Sequence, residues 1–169
     1  MEVLLESKEH EIIKADLTAM QYAEIIKTMT DLDFEEEFGK PIPLPLVSTR
    51  ELKRIITYCE YHVHGKEEKL KEIDPIDCPI RSNNIYDIVP EWYANFISGM
   101  PREEVFELVK AANYLNVNTL IELCTVYIAT DIIHKTPSEI REIFGITDDF
   151  TEEEKALFAK EHQWVKDAL

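Results

Sequence analysis

Cys59, His62 and His64, in the run C-E-Y-H-V-H-G, are the residues of this chain best suited to chemistry, since a thiol and two imidazoles could ligate one metal ion. Their spacing argues against that use. On a helix, positions 59 and 63 share a face whereas 62 and 64 diverge, and no second ligand pair follows at zinc-like spacing. Cys124 could serve as a nucleophile, but it falls within an apolar helical stripe, where burial raises a thiol's pKa and silences it. The acidic runs 35–37 and 152–154 could be imagined as paired carboxylates. Read physically, the first is a solvated loop and the second a charge-favoured helix N-terminus. Only four glycines occur, and none forms a G-x-G-x-x-G or P-loop pattern, so nucleotide binding is disfavoured. No active site is legible, and neither a catalytic residue nor a cofactor is expected.

The chain begins with two short apolar runs, Glu2 to Ser7 and Glu11 to Asp16, that read as a hairpin. Thr18 and Gln21 fit a capping box for a helix carrying Tyr22, Ile25, Ile26 and Met29. An acidic loop, Asp31 to Glu37, leads to Pro41-Ile42-Pro43-Leu44-Pro45, whose prolines permit an edge strand or an extended connector. Ser48 and Glu51 open a second helix with the stripe Leu52, Ile55, Ile56, Cys59 and Val63, and Gly65 is its stop. Residues 66–90 are charged and contain Pro75, Pro79 and Pro90, which reads as a linker or mobile loop. Pro101 starts a helix burying Val105, Leu108, Val109, Ala112 and Leu115. Asn118 caps the next, with Leu120, Ile121, Cys124, Tyr127 and Ile128 inward. Strands early and helices late make the class α+β.

The last 34 residues are the most explicit. Thr136, Pro137 at the first helical position and Glu139 form a capping box, Gly145 stops that helix, and Thr151 with Glu154 caps another. Helices this short do not persist unaided, so their apolar residues, which include Leu157 and Phe158, must dock on something. Phe106, Ile140, Ile143, Phe144, Ile146, Phe150 and Trp164 exceed what pairing the two longer helices requires. They fit the core of an interface; they also fit a self-contained helical core, and periodicity does not separate the two.

At 169 residues the chain holds one domain, or one with an appended helical part. A formal charge of −16, from 18 basic and 34 acidic residues, repels nucleic acid and anionic membrane surfaces and favours a basic protein partner. No apolar run approaches the roughly 20 residues a membrane span needs. Cys59, Cys78 and Cys124 are odd in number and lack C-x-x-C spacing, which points to free thiols in cytosol or nucleus. The charged N-terminus is unlike a signal peptide.

Several segments resemble the Skp family, the adaptor subunits of SCF (Skp–cullin–F-box) ubiquitin ligases. They are I-I-K-T-M at 25–29, P-I-P-L-P at 41–45, the Leu52-to-His62 helix and A-A-N-Y-L at 111–115. K-T-P-S-E-I-R at 135–141, D-F-T-E-E-E at 149–154 and Q-W at 163–164 complete the set, in family order and nearly end to end. The resemblance implies a BTB/POZ-type fold with a C-terminal helical extension. It divides the chain into an N-terminal half (1–65), a loop (66–90), a helical completion (91–133) and F-box-binding helices (134–169). It implies a non-catalytic adaptor with no small-molecule substrate, joining a cullin to F-box proteins and acting in ubiquitin-dependent degradation. By this carry-over Asn113 and Tyr114 contact the cullin, with Ile42 and Leu44 near that side by position. Phe144, Ile146 and Trp164 contact the F-box. Pro137 matches a proline that is hydroxylated and glycosylated in some protist members. The unbound protein could pair weakly with itself, and an elongin-C-like or self-associating BTB module is the competing reading. Departures from the pattern include Leu46, Tyr93, His162 and Val165.

Overall fold

The hairpin forms because two five-residue runs of apolar and β-branched residues are joined by a turn they can both accept. Strand β1 (Glu2–Glu6) pairs antiparallel with β2 (Ile12–Asp16), from Glu2 opposite Asp16 to Glu6 opposite Ile12. His10 takes the left-handed conformation in the turn, at φ 62°, and its ring meets Glu6 at 2.6 Å. Strand β3 (Ile42–Pro43) adds parallel to the other side of β1, giving the order β2-β1-β3. That places the prolines on a sheet edge, where their missing N–H groups cost least. The computed structural model describes residues 1–32, 40–64 and 79–161. Glu35, Glu36 and Glu37 lie outside them, as do Gly65, Cys78 and Trp164.

The helix expected from Thr18 onward is two helices. Asp16, not Thr18, caps α1 (Leu17–Met20) by accepting from Thr18 N at 3.3 Å. The chain turns through Tyr22 and Ala23 before α2 (Glu24–Leu32). The break lets Ala19, Met20, Ala23 and Ile26 all become fully buried, which one straight helix with a stripe through Tyr22 would not achieve. Tyr22 and Met29, assigned to that stripe, are each 38% exposed.

Helix α3 (Thr49–His64) runs along the core with Leu52, Ile55, Ile56, Tyr58, Cys59 and His62 buried. Ser48 accepts from Glu51 N at 3.5 Å, a long bond, and the hairpin supplies the stronger cap. There the Glu9 carboxylate accepts from Thr49 N at 2.7 Å and from its hydroxyl at 3.0 Å. Those bonds hold the Glu9 carboxyl below its usual range. The Glu51 carboxylate is held by Arg50 Nε at 2.8 Å.

Within 66–90, residues 85–87 form a 3-10 turn capped by Asn84, and Ile85 and Val89 are buried. Helix α4 (Glu91–Ile97) inserts Tyr93, Ala94 and Ile97 into the core. Helix α5 (Arg102–Leu115) follows Pro101 and buries Val105, Leu108, Ala111, Ala112 and Leu115. It ends at Asn116, left-handed at φ 55°, whose side-chain amide bonds the Glu24 carboxylate on α2. Asn118 is the first residue of α6 (Asn118–Ile132) rather than its cap; Val117 holds the cap position without a side-chain bond. Glu104 ties α5 to α3, accepting from Arg50 at 2.9 Å and Arg54 at 2.6 Å. Helices α7 (Pro137–Phe144) and α8 (Glu152–Glu161) are the last described elements. The chain resolves into two compact units, Met1–Ile133 and His134–Leu169. Among the described residues no helix is long and apolar enough to cross a membrane.

Candidate interaction surfaces

The residues with chemical potential are drawn into structural roles. Cys59 is fully buried, and burial pushes its thiol up to about 12. Cys124 is raised to about 12 for the same reason. His62 Nδ1 lies 2.9 Å from the Tyr93 hydroxyl, its ring edge-on to Tyr22 and stacked near Tyr58. Burial holds its pKa below the usual imidazole value. His64 points elsewhere, to Asp16 at 2.6 Å. His62 and His64 thus turn to different partners, and among the described residues no His, Cys, Asp and Glu set gathers as a metal site would require.

The tail is a different kind of surface. The α7 capping box closes both ways: Thr136 Oγ1 accepts from Glu139 N at 3.4 Å, and the Glu139 carboxylate accepts from Thr136 N at 2.7 Å. Pro137, exposed, sits at the first helical position, and Gly145 ends the helix at φ 62°. Thr151 and Glu154 repeat the box for α8, with bonds of 3.3 and 2.8 Å. Capping boxes therefore stand at the starts of two helices that contain no buried residue. Phe144 is 38% exposed and Ile146 56%, and Phe150 is exposed as well. Ile140 and Ile143 are half-buried on α7. Leu157 and Phe158 extend the exposed apolar surface of this unit, Phe158 packing edge-on against Phe150 at 5.4 Å. Trp164 lies outside the described residues. Phe106 is half-buried on α5 in the first unit.

In that first unit, Asn113 and Tyr114 occupy the last turn of α5, the former exposed and the latter half-buried against the core. Ile42, in β3, is half-buried. Leu44 corrects its assignment as a contact residue. It is fully buried, with its N–H bonded to the Glu6 carbonyl at 2.8 Å, and presents no side-chain surface to a partner. The proline-rich run exposes Leu46 instead.

An α+β unit whose Cys59, Cys124 and His62 are taken up by the core, followed by capped helices with exposed apolar side chains, has the features of an interaction module. Residues 1–64 match the tetramerisation domain of the Skp1 family, and residues 118–165 match the dimerisation domain of the same family. The chain is 37% identical over 166 residues to the S-phase kinase-associated protein 1 homolog of Tetrahymena thermophila, covering 98% of this chain and 95% of that protein. It is 33% identical to the Suppressor of kinetochore protein 1 of Schizosaccharomyces pombe, covering 98% of each. It is 31% identical to the SKP1-like protein 1A of Arabidopsis thaliana, covering 96% of each. The chain belongs to the Skp1 family, the adaptors of SCF ubiquitin ligases, and has that family's POZ-type α+β fold with a helical extension.

Proposed function

We propose that this chain bridges a cullin scaffold to F-box substrate receptors, in cytosol and nucleus, and that it catalyses no reaction itself. The observation carrying this reading is the apolar surface of α7, α8 and the segment between them: Phe144, Leu157 and Phe158 are exposed on helices with no buried residue, and Ile146 and Phe150 are exposed in the connection. Burying such side chains against a partner's helices supplies the stabilisation that short helices lack alone. Binding energy in an interface concentrates in a few desolvated aromatics, and these positions offer them. Asn113 and Tyr114, at the end of α5, are the proposed cullin contacts, and Pro137 remains the proposed modification site.

Reconstitution with purified parts tests the division of labour. The double substitution Asn113→Ala, Tyr114→Ala is expected to weaken capture of a cullin N-terminal region at least tenfold while an F-box domain still binds. Loss of both partners together would refute the assignment of separate surfaces. A tight symmetric dimer that excludes both partners would replace this reading with that of a self-associating module.

A further inference from the structure

We infer that Asp148 is a positioning residue for the tail surface: its carboxylate clamps the two helices of the second unit in a docking-ready arrangement. The inference rests on the F-box reading proposed above. The seven residues between α7 and α8 contain a left-handed glycine and no regular element, so the backbone alone does not fix the angle between the helices. Four interactions do. Lys155, in the second turn of α8, places Nζ 2.9 Å from Asp148 Oδ2, and Arg141, on α7, brings Nη1 to 3.8 Å from the same oxygen. The Ile146 N–H returns to the Arg141 carbonyl at 2.8 Å. The Phe150 ring meets Phe158 edge-on, pinning the far end of the connection to α8.

Asp148 is thus the one group in this set that engages a cation from each helix. The hydrogen bond from Lys155, then the charges of Arg141 and Lys155, hold its carboxyl below the usual range. Lys155 is also shared with Glu152 at 3.0 Å, which orients its ammonium across the start of α8. None of these charged groups needs to touch the partner. Their effect is to lower the ordering cost when the partner arrives, because the exposed aromatics are already held in place. Pairs as exposed as these are individually weak, so the effect is modest and sensitive to salt.

The test uses the full chain with Asp148→Asn and Asp148→Glu. Amide hydrogen exchange of residues 145–155 is followed in the free protein. Affinity for a recombinant F-box domain is measured by calorimetry at about 0.05 M and about 0.5 M NaCl. Asp148→Asn is expected to speed exchange and weaken binding by the same factor, roughly 2- to 5-fold at low salt. The gap from wild type should close at high salt, and Asp148→Glu should recover most of the loss. Unchanged exchange in Asp148→Asn overturns the inference, even if affinity falls, because Asp148 would then be a direct contact. If the wild-type chain failed to bind the F-box domain at all, the bridging reading would fall while the exchange measurement still decided the clamp.

Discussion

Replacing Phe144 with alanine isolates the contribution of one exposed aromatic to partner binding. The ring is 38% exposed at the last position of α7. A phenylalanine offers about 200 Å² of surface, so about 75 Å² is open for a partner to cover. At about 25 cal/mol per Å² this corresponds to about 2 kcal/mol, or about 25-fold in Kd. The tail helix itself should survive, since alanine is the better helix former and the capping box and Gly145 remain. Calorimetry against a recombinant F-box domain reads the affinity, and far-ultraviolet circular dichroism checks the helix content. An unchanged Kd would refute the argument that this side chain is part of the docking surface. So would a loss of affinity that tracked a loss of helicity, since the substitution would then act on folding.

Two further outcomes concern the first unit. Because burial lowers the pKa of His62, the unfolded chain binds its proton at a higher pH than the folded one. Stability should therefore be full above the unfolded value of about 6.5 and fall as pH drops below it, by at most about 1.4 kcal/mol per pH unit. In urea titrations between about pH 7 and about pH 5, His62→Gln should flatten that slope, and an equal slope in wild type and variant would contradict the assignment. Among the described residues, the Tyr58 hydroxyl and Thr119 Oγ1 are both buried without a hydrogen bond of proper geometry. Tyr58→Phe keeps the ring among Trp92, Tyr93 and Phe96. It should be neutral or stabilising by up to about 1 kcal/mol in urea unfolding, whereas a clear destabilisation would mean the hydroxyl has a partner.

Local chemistry made much of this protein readable from its residues alone. Thr136 with Glu139, Gly145, and Thr151 with Glu154 fix helix ends through bonds spanning three or four residues, so the capping boxes and the stop were legible before any fold was known. The hairpin and the stripe Leu52, Ile55, Ile56, Cys59 were legible for the same reason: a period of 2 or 3.6 is a property of nearby residues. The resemblance of ordered segments added the family.

What required the tertiary structure is whatever depends on residues distant in the chain. Ala19, Met20 and Ala23 break a helix because the core they fill is completed by other elements, and no pattern within residues 18–29 announces that. Glu9 caps α3 from 40 positions away. Leu44 looked available in an extended proline run and is sealed, whereas Leu46 is exposed. Ile85 and Val89 enter the core from a stretch whose charge and prolines suggest a linker. Above all, periodicity gives a helix an apolar face without saying what covers it. Whether Phe144 and Phe158 face solvent is decided by the three-dimensional arrangement of the chain around them, and the structure leaves both exposed.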